Sequence, residues 1–236
     1  MSANVQTILV PAPVSTGQRP SLNAGDHLSR AEFERRYAAY PEIKKAELVE
    51  GVVFMPSPIR AQKHGQPHAH IIGWLTAYAA ATPGALLYDN ATVRLDFENE
   101  VQPDVLLRLE PEHGGKSRIT ADDYLEGAPE LVIEIAASSV AYDLHEKKRV
   151  YQRTGVLEYL ALQVEEPRTE WFVLREGVYE AQRPDEHGIL RSEAFPGLWL
   201  QPAAFWKGEL AEMLRVLQEG LATPEHSAFA ARLKAS

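Results

Sequence analysis

Glu130-Leu131-Val132-Ile133-Glu134-Ile135-Ala136 is the stretch whose reading decides the fold. Its aliphatic and β-branched residues predict a strand. Side chains alternate across a strand, so Leu131, Ile133 and Ile135 share one face, and Val132, Glu134 and Ala136 share the other. A helix is expected over 143–153, stopping ahead of Gly155, and a second strong strand over 156–162. Strand, helix and strand in that order argue for an α/β sheet.

The same reading extends in both directions. Upstream, short strands are expected over 85–88, 92–97 and 105–109, with a polar loop or small excursion over 110–127. The longest helix is expected over 59–81, with Pro67 in its first turn and Ile71, Trp74, Leu75 and Tyr78 on its buried face. Residues 47–55 read as a strand or strand pair kinked at Gly51. Ser29 and Glu32 form a capping-box pattern for a helix running to Tyr40, ahead of Pro41. Downstream, 171–174, 178–182 and 189–191 suggest an antiparallel meander. An amphipathic helix is expected over 205–220, with a last one after Pro224.

Composition bounds the chemistry. The chain has 236 residues, 45% hydrophobic and 24% charged, which are ordinary globular values. It has no cysteine, so disulfides, thiolate zinc sites, iron–sulfur clusters and cysteine nucleophiles are excluded. Lys and Arg number 24 against 33 Asp and Glu, a net charge of −9. That balance argues against a broad basic surface for nucleic acid and permits a carboxylate cluster that holds a cation. No apolar run approaches the ~18 residues that span a bilayer. The start has no Lys or Arg before Arg19 and is cut by Pro11 and Pro13, unlike a secretory signal. Residues 1–25 read as a mobile lead, and a cytoplasmic protein without membrane association is the expectation.

Three residues break local expectation. Glu134, if both sheet faces are covered, is a carboxylate in a dry layer, which costs several kcal/mol unless paired or metal-bound; otherwise it marks a strand end at solvent. Asp104, in Pro103-Asp104, opens the apolar run of 105–109, as a site residue or as turn chemistry. Lys147 lies at the edge of the apolar face of the 143–153 helix, where it meets an anion or snorkels. Together they suggest one chemistry. Carboxylates from adjacent strands can hold a divalent cation, and a nearby ammonium can orient water or steady developing negative charge. Glu47 and Glu50, in Glu47-Leu48-Val49-Glu50-Gly51, are the candidates for a further carboxylate.

The ordered set E-L-V-E-G, S-P with a following His, P-D-V, E-L-V-I-E-I, D-x-x-x-K-x-x-x-Y and G-V-x-E-Y resembles the Uma family of restriction-endonuclease-like proteins, in the PD-(D/E)XK nuclease superfamily. The resemblance covers roughly residues 28–200. It implies a restriction-endonuclease-like mixed β-sheet flanked by helices, with the antiparallel meander and C-terminal helix as additions. The domain would run over 26–205, with a helical extension over 206–236. The resemblance further implies a metal-dependent endonuclease in which Glu47 or Glu50, Asp104 and Glu134 bind Mg²⁺ or Mn²⁺. Lys147, four residues ahead of Tyr151, would be the catalytic lysine, moved from the strand to the next helix, so that position 136 is Ala. DNA as partner and a homodimer follow by the same resemblance. The stretch Ala136 to Val140 departs from the family's proline-containing loop, which bears on substrate fit. The alternative is a nuclease-fold module that binds or regulates without cutting.

Other patterns are weaker. His64 and His68 have a zinc-compatible spacing, but no HExxH is present, so a cluster at the site's rim is the better reading. Gly114-Gly115-Lys116-Ser117 lacks the first glycine of a phosphate loop, because residue 110 is Glu. There is no G-x-S-x-G elbow. Trp171, Trp199 and Trp206 are explained more cheaply by core packing than by base stacking. The 143–153 helix carries four Lys/Arg and two Asp/Glu, a modest basic patch.

Overall fold

The computed structural model describes residues 19–55, 61–136 and 142–235. The stretch 130–136 behaves as its pattern demands. Strand β9 (Leu131–Ala136) is buried along its whole length. It pairs in parallel with β10 (Glu158–Gln163), Leu131 opposite Glu158 and Ala136 opposite Gln163. Between them the chain makes a π-helical turn, Tyr142–Lys147, and helix α3 (Lys148–Thr154), which ends at Gly155 with a φ of 88°. Residues 137–141, where the sequence departs from the family's proline-containing stretch, lie outside the described residues.

The central sheet runs β12-β11-β10-β9-β6-β3, with β3 as Ala85–Asp89, β6 as Val105–Leu109, β11 as Arg168–Arg175 and β12 as Val178–Ala181. Apart from the β9–β10 pair, its neighbours are antiparallel. Its two faces feed two cores. Leu131, Ile133 and Ile135 pack with Leu160, Trp171 and helix α2 (Gln66–Ala81). Val132 packs with Tyr159, Val150 and Tyr151 of α3, and with Val93 and Val101 from a second sheet. Glu134 is thus a carboxylate between two covered layers, and the solvent-end reading of it falls. The C-terminal helices belong to the first core: Phe205, Met213, Leu217, Phe229 and Leu233 share it with Trp74 and Leu160.

The second sheet runs β2-β1-β5-β4-β8-β7. Residues 47–55 form a hairpin of β1 (Glu47–Val49) and β2 (Val52–Phe54), turned at Glu50 and Gly51, both at positive φ. The strand expected over 92–97 shrinks to β4 (Val93–Arg94). Asp96 stops it, because its Oδ1 accepts from Glu98 N and Asn99 Nδ2 and closes a turn into β5 (Glu100–Val101). The 110–127 excursion holds β7 (Arg118–Ile119) and β8 (Leu125–Glu126). Helix α1 (Arg30–Tyr37) is capped by Ser29, but the Glu32 carboxylate binds Arg35 and Arg36 instead of closing the box.

Three expectations are corrected. The 59–81 helix starts as a π-helical turn, Ala61–Gly65, with Pro67 at the start of α2 where a missing N–H is harmless; residues 56–60 lie outside the described residues. The meander keeps two strands. The third, β13 (Leu190–Arg191), pairs instead with β14 (Trp199–Leu200). Asp185 bends the chain first, its Oδ1 accepting from His187 N and Ile189 N. The 205–220 helix is broken in two, α4 (Pro202–Lys207) and α5 (Leu210–Leu221), because Gly208 takes a φ of 72° that ends the first. The expected last helix is α6 (Pro224–Ala235).

Candidate active site

The site lies where the two sheets join, along the chain from β5 to β6. Val105 stands opposite Ile133 in an antiparallel pair, so continuing the register places Asp104 opposite Glu134. Cross-strand neighbours in such a pair have Cβ atoms about 5 Å apart. Asp104 Oδ2 accepts the Ile135 backbone N–H at 2.8 Å, which pins it beside the residue after Glu134. Two residues upstream, the Gln102 N–H donates to Glu47 Oε1 at 2.7 Å, which ties β1 to the same segment.

Lys147 reaches this junction from the last π-helical turn before α3. Its Nζ lies 2.7 Å from Glu134 Oε1 and 2.8 Å from Glu47 Oε1. The Tyr151 hydroxyl, one turn further, donates to Glu134 Oε1 at 2.7 Å. Burial pushes the Tyr151 phenol well above its usual range, so it stays a donor. Lys147 therefore meets anions and does not snorkel: its side chain is 2% exposed. Removing two carboxylates from water is costly, and a shared ammonium with extra hydrogen bonds is what offsets it.

Asp104 has a second set of partners. His64 Nε2 lies 3.1 Å from its Oδ2, and Lys45 Nζ lies 3.7 Å from its Oδ1. Burial would raise its carboxyl, but the His64 contact, the Lys45 charge and the Ile135 N–H prevail and hold it at about 2. His68, one turn on from His64, places Nε2 3.1 Å from the Asp104 carbonyl and 3.0 Å from Asp89 Oδ1. The histidines thus serve as a rim around Asp104.

Glu47 and Glu134 meet at Lys147, and Asp104 lies on the neighbouring segment, bonded to the residue after Glu134; Glu50 joins neither. Its carboxylate turns to Arg149 at 3.1 Å and Arg153 at 3.5 Å. Arg153 also reaches Asp96, and the Lys148 ammonium sits 3.4 Å from the Phe172 ring centroid. The basic patch of the 143–153 helix is therefore engaged within the fold. Among the described residues no three acidic or histidine side chains converge as a ready metal-ligand set. Lys45 and Tyr151 carry contacts to which sequence reasoning gave no role. The signal for Lys45 is its spacing of two from Glu47, which puts both on one side of an extended segment.

A family model described as "Uma2: Putative restriction endonuclease" matches residues 30–203. Among solved structures, the crystal structure of a "putative nuclease belonging to DUF820" from Anabaena variabilis is similar, with a TM-score of 0.52 and 12% sequence identity. The match covers 69% of this chain and 89% of that one, and at this identity it shows the fold alone. No curated protein matches.

Proposed function

Because the chain belongs to the Uma2 family of restriction-endonuclease-like proteins, we propose that it hydrolyses phosphodiester bonds in DNA with Mg²⁺ or Mn²⁺. The observation that carries this reading is the Lys147 ammonium shared by Glu47 and Glu134, beside an Asp104 that is bonded to the next residue of the same strand. Glu47, Asp104 and Glu134 would hold the cation after their side chains move toward it, since they do not converge as they stand. Their donors are all oxygen, as a hard divalent cation requires, and Asp104 is held ionised. When bound, the cation supplies Lewis-acid polarisation and neutralises charge at phosphoryl oxygens.

The chain's own groups do the rest. Lys147 places donors at the carboxylates, where they can orient an attacking water and steady the charge that develops on phosphorus-bound oxygens. Tyr151 holds Glu134 in register with Lys147. The rim histidines, through Asp104 and its carbonyl, fix the loop that opens β6. Glu50 stays outside this set, because its carboxylate is occupied by Arg149 and Arg153.

Supercoiled plasmid incubated with Mg²⁺ or Mn²⁺ tests the reading. Wild type is expected to nick or linearise it, and Asp104→Ala and Lys147→Ala are expected to lose the activity. A wild type that neither cleaves nor is stabilised by either ion overturns the reading. A homodimer in the cytoplasm belongs to the same proposal, and light scattering on the eluted protein tests the dimer.

One observation favours a second reading. Lys147 already offsets both Glu47 and Glu134, and the helix arginines are already paired. A module that binds or regulates without cutting would keep this arrangement as a structural ion pair. It is distinguished by duplex binding without cleavage in either metal.

A further inference from the structure

The carboxylate junction is buried more deeply on one side than on the other. The side chains of Glu47, Glu134 and Lys147 are at most 3% exposed. Around Asp104, in contrast, the side chains of Lys45, His64 and His68 are 22%, 13% and 17% exposed. A polyanion reaching the junction would enter on the less buried side, where cationic groups must meet it.

Lys45 lies on that side. Its ammonium lies 3.7 Å from Asp104 Oδ1, which is an ion pair but beyond hydrogen-bonding distance. Among the described residues this is the anionic oxygen it reaches, so its three N–H donors are unspent. Across Asp104, His64 has a buried Nδ1 with no partner among the described residues. Lys45 is thus a partly exposed cation beside Asp104, and His64 flanks the same carboxylate from a more buried position. The arginines of α3 are a poorer entry, because Glu50 and Asp96 already occupy them.

We infer that Lys45 contacts the substrate, its ammonium docking the phosphodiester that the junction attacks. This rests on the phosphodiesterase reading above. A lysine on a flexible stem can swing from a carboxylate oxygen at 3.7 Å to a phosphate oxygen and donate to it fully. Charge on that phosphate grows as the reaction proceeds, so the contact is worth most in the transition state. Asp104 keeps the ammonium aimed until the phosphate arrives.

Lys44 supplies the control, since it has the same charge one residue away and is exposed. Lys45→Met is expected to lower Mn²⁺-supported cleavage by about 100-fold, the scale of losing one donor to a developing oxyanion. It is expected to lower the salt dependence of 20-bp duplex binding, measured by anisotropy in Ca²⁺, by about one unit of slope. Lys44→Met is expected to change cleavage by less than about twofold, and Lys45→Arg to keep duplex binding. Calorimetric Mn²⁺ binding is expected to be no weaker in Lys45→Met. Wild-type behaviour of Lys45→Met, an equal loss in Lys44→Met, or weakened Mn²⁺ binding overturns the inference while the phosphodiesterase reading stands. A wild type that neither cleaves nor binds duplex overturns both.

Discussion

Lys147 carries stability through its two buried carboxylates, and in the proposed reaction it would carry chemistry as well. Its ammonium sits between two buried carboxylates, so Lys147→Met leaves them facing each other without a cation. Breaking a buried pair in this way costs roughly 3–5 kcal/mol. Lys147→Met is therefore expected to unfold at markedly lower urea than wild type. Added Mn²⁺ is expected to recover part of the loss, because a divalent cation can neutralise the same carboxylates. Urea midpoints with and without Mn²⁺ check this, and a midpoint equal to wild type would refute it. Tyr151→Phe is the finer probe. It removes one 2.7 Å hydrogen bond to Glu134 and keeps the ring, so a loss of about 1–3 kcal/mol in stability is expected from the same titration. At this scale the residues that the structure places around the junction, Glu134, Asp104, Lys147 and Glu47, could be named from residue type and order, while their part in a reaction belongs to the proposal. The choice between Glu47 and Glu50 was not, because both carry a carboxylate in the same short motif. The Glu50 backbone, at a φ of 51° in the turn, sends its side chain to the helix arginines.

At the scale of elements, β10 carries a second buried carboxylate. Glu158 opens that strand and gathers four donors: Trp171 Nε1, Ser192 Oγ, and the Glu193 and Ala194 backbone N–H groups. It thereby ties the central sheet to the segment that leads into β14. Burial pushes its carboxyl up to about 7 against those donors. Between pH ~4.5 and ~7 the folded protein keeps a proton that the unfolded chain releases, so stability falls as pH rises through that window. The drop is expected to be up to roughly 3 kcal/mol and to vanish in Glu158→Gln. Chemical denaturation at pH 5 and pH 8 checks it; a wild-type slope unchanged by the substitution would count against it. Element types were mostly readable from apolar period: β9, β10 and the β1–β2 hairpin appear where expected, and α2 fills the later part of its expected span. The breaks were less readable. Asp96 and Gly208 interrupt patterns that continue past them, since a turn closed by one side chain or one left-handed glycine leaves the apolar period intact.

For the whole molecule, the C-terminal helices act as part of the main core. Phe229 and Leu233 of α6 lie in the cluster with Trp74 and Leu160, and His226 Nε2 lies 2.9 Å from Thr82 Oγ1 at the end of α2. Phe229→Ala is expected to cost about 3 kcal/mol, the scale of truncating a buried aromatic. Cooperative thermal unfolding is expected to shift as one transition, and a separate early transition would show that the helices fold apart from the sheet. The charge of −9 belongs to this scale as well. It is spread over surface pairs such as those of Arg215 with Glu212 and Glu219, while the helix arginines are taken up by Glu50 and Asp96. Under the proposed function, duplex binding is therefore expected to be weak above ~0.2 M salt, with the contact proposed for Lys45 contributing most to its position.

The sequence by itself determined the strand–helix–strand unit around Glu134, the family and the acidic and basic residues of the junction. Those follow from local alternation, helix period and ordered motifs, which a linear chain carries openly. Tertiary structure decided which carboxylates meet. Residues 47, 104, 134 and 147 are far apart along the chain, and they converge because β1 is tied to the segment ahead of β6, β6 pairs β9, and α3 packs over the same face. It also decided that the Glu47–Lys147–Glu134 side of the junction is buried more deeply than the side where Lys45 lies beside Asp104. Burial and register are properties of packed neighbours, and no local pattern at Lys45 encodes them.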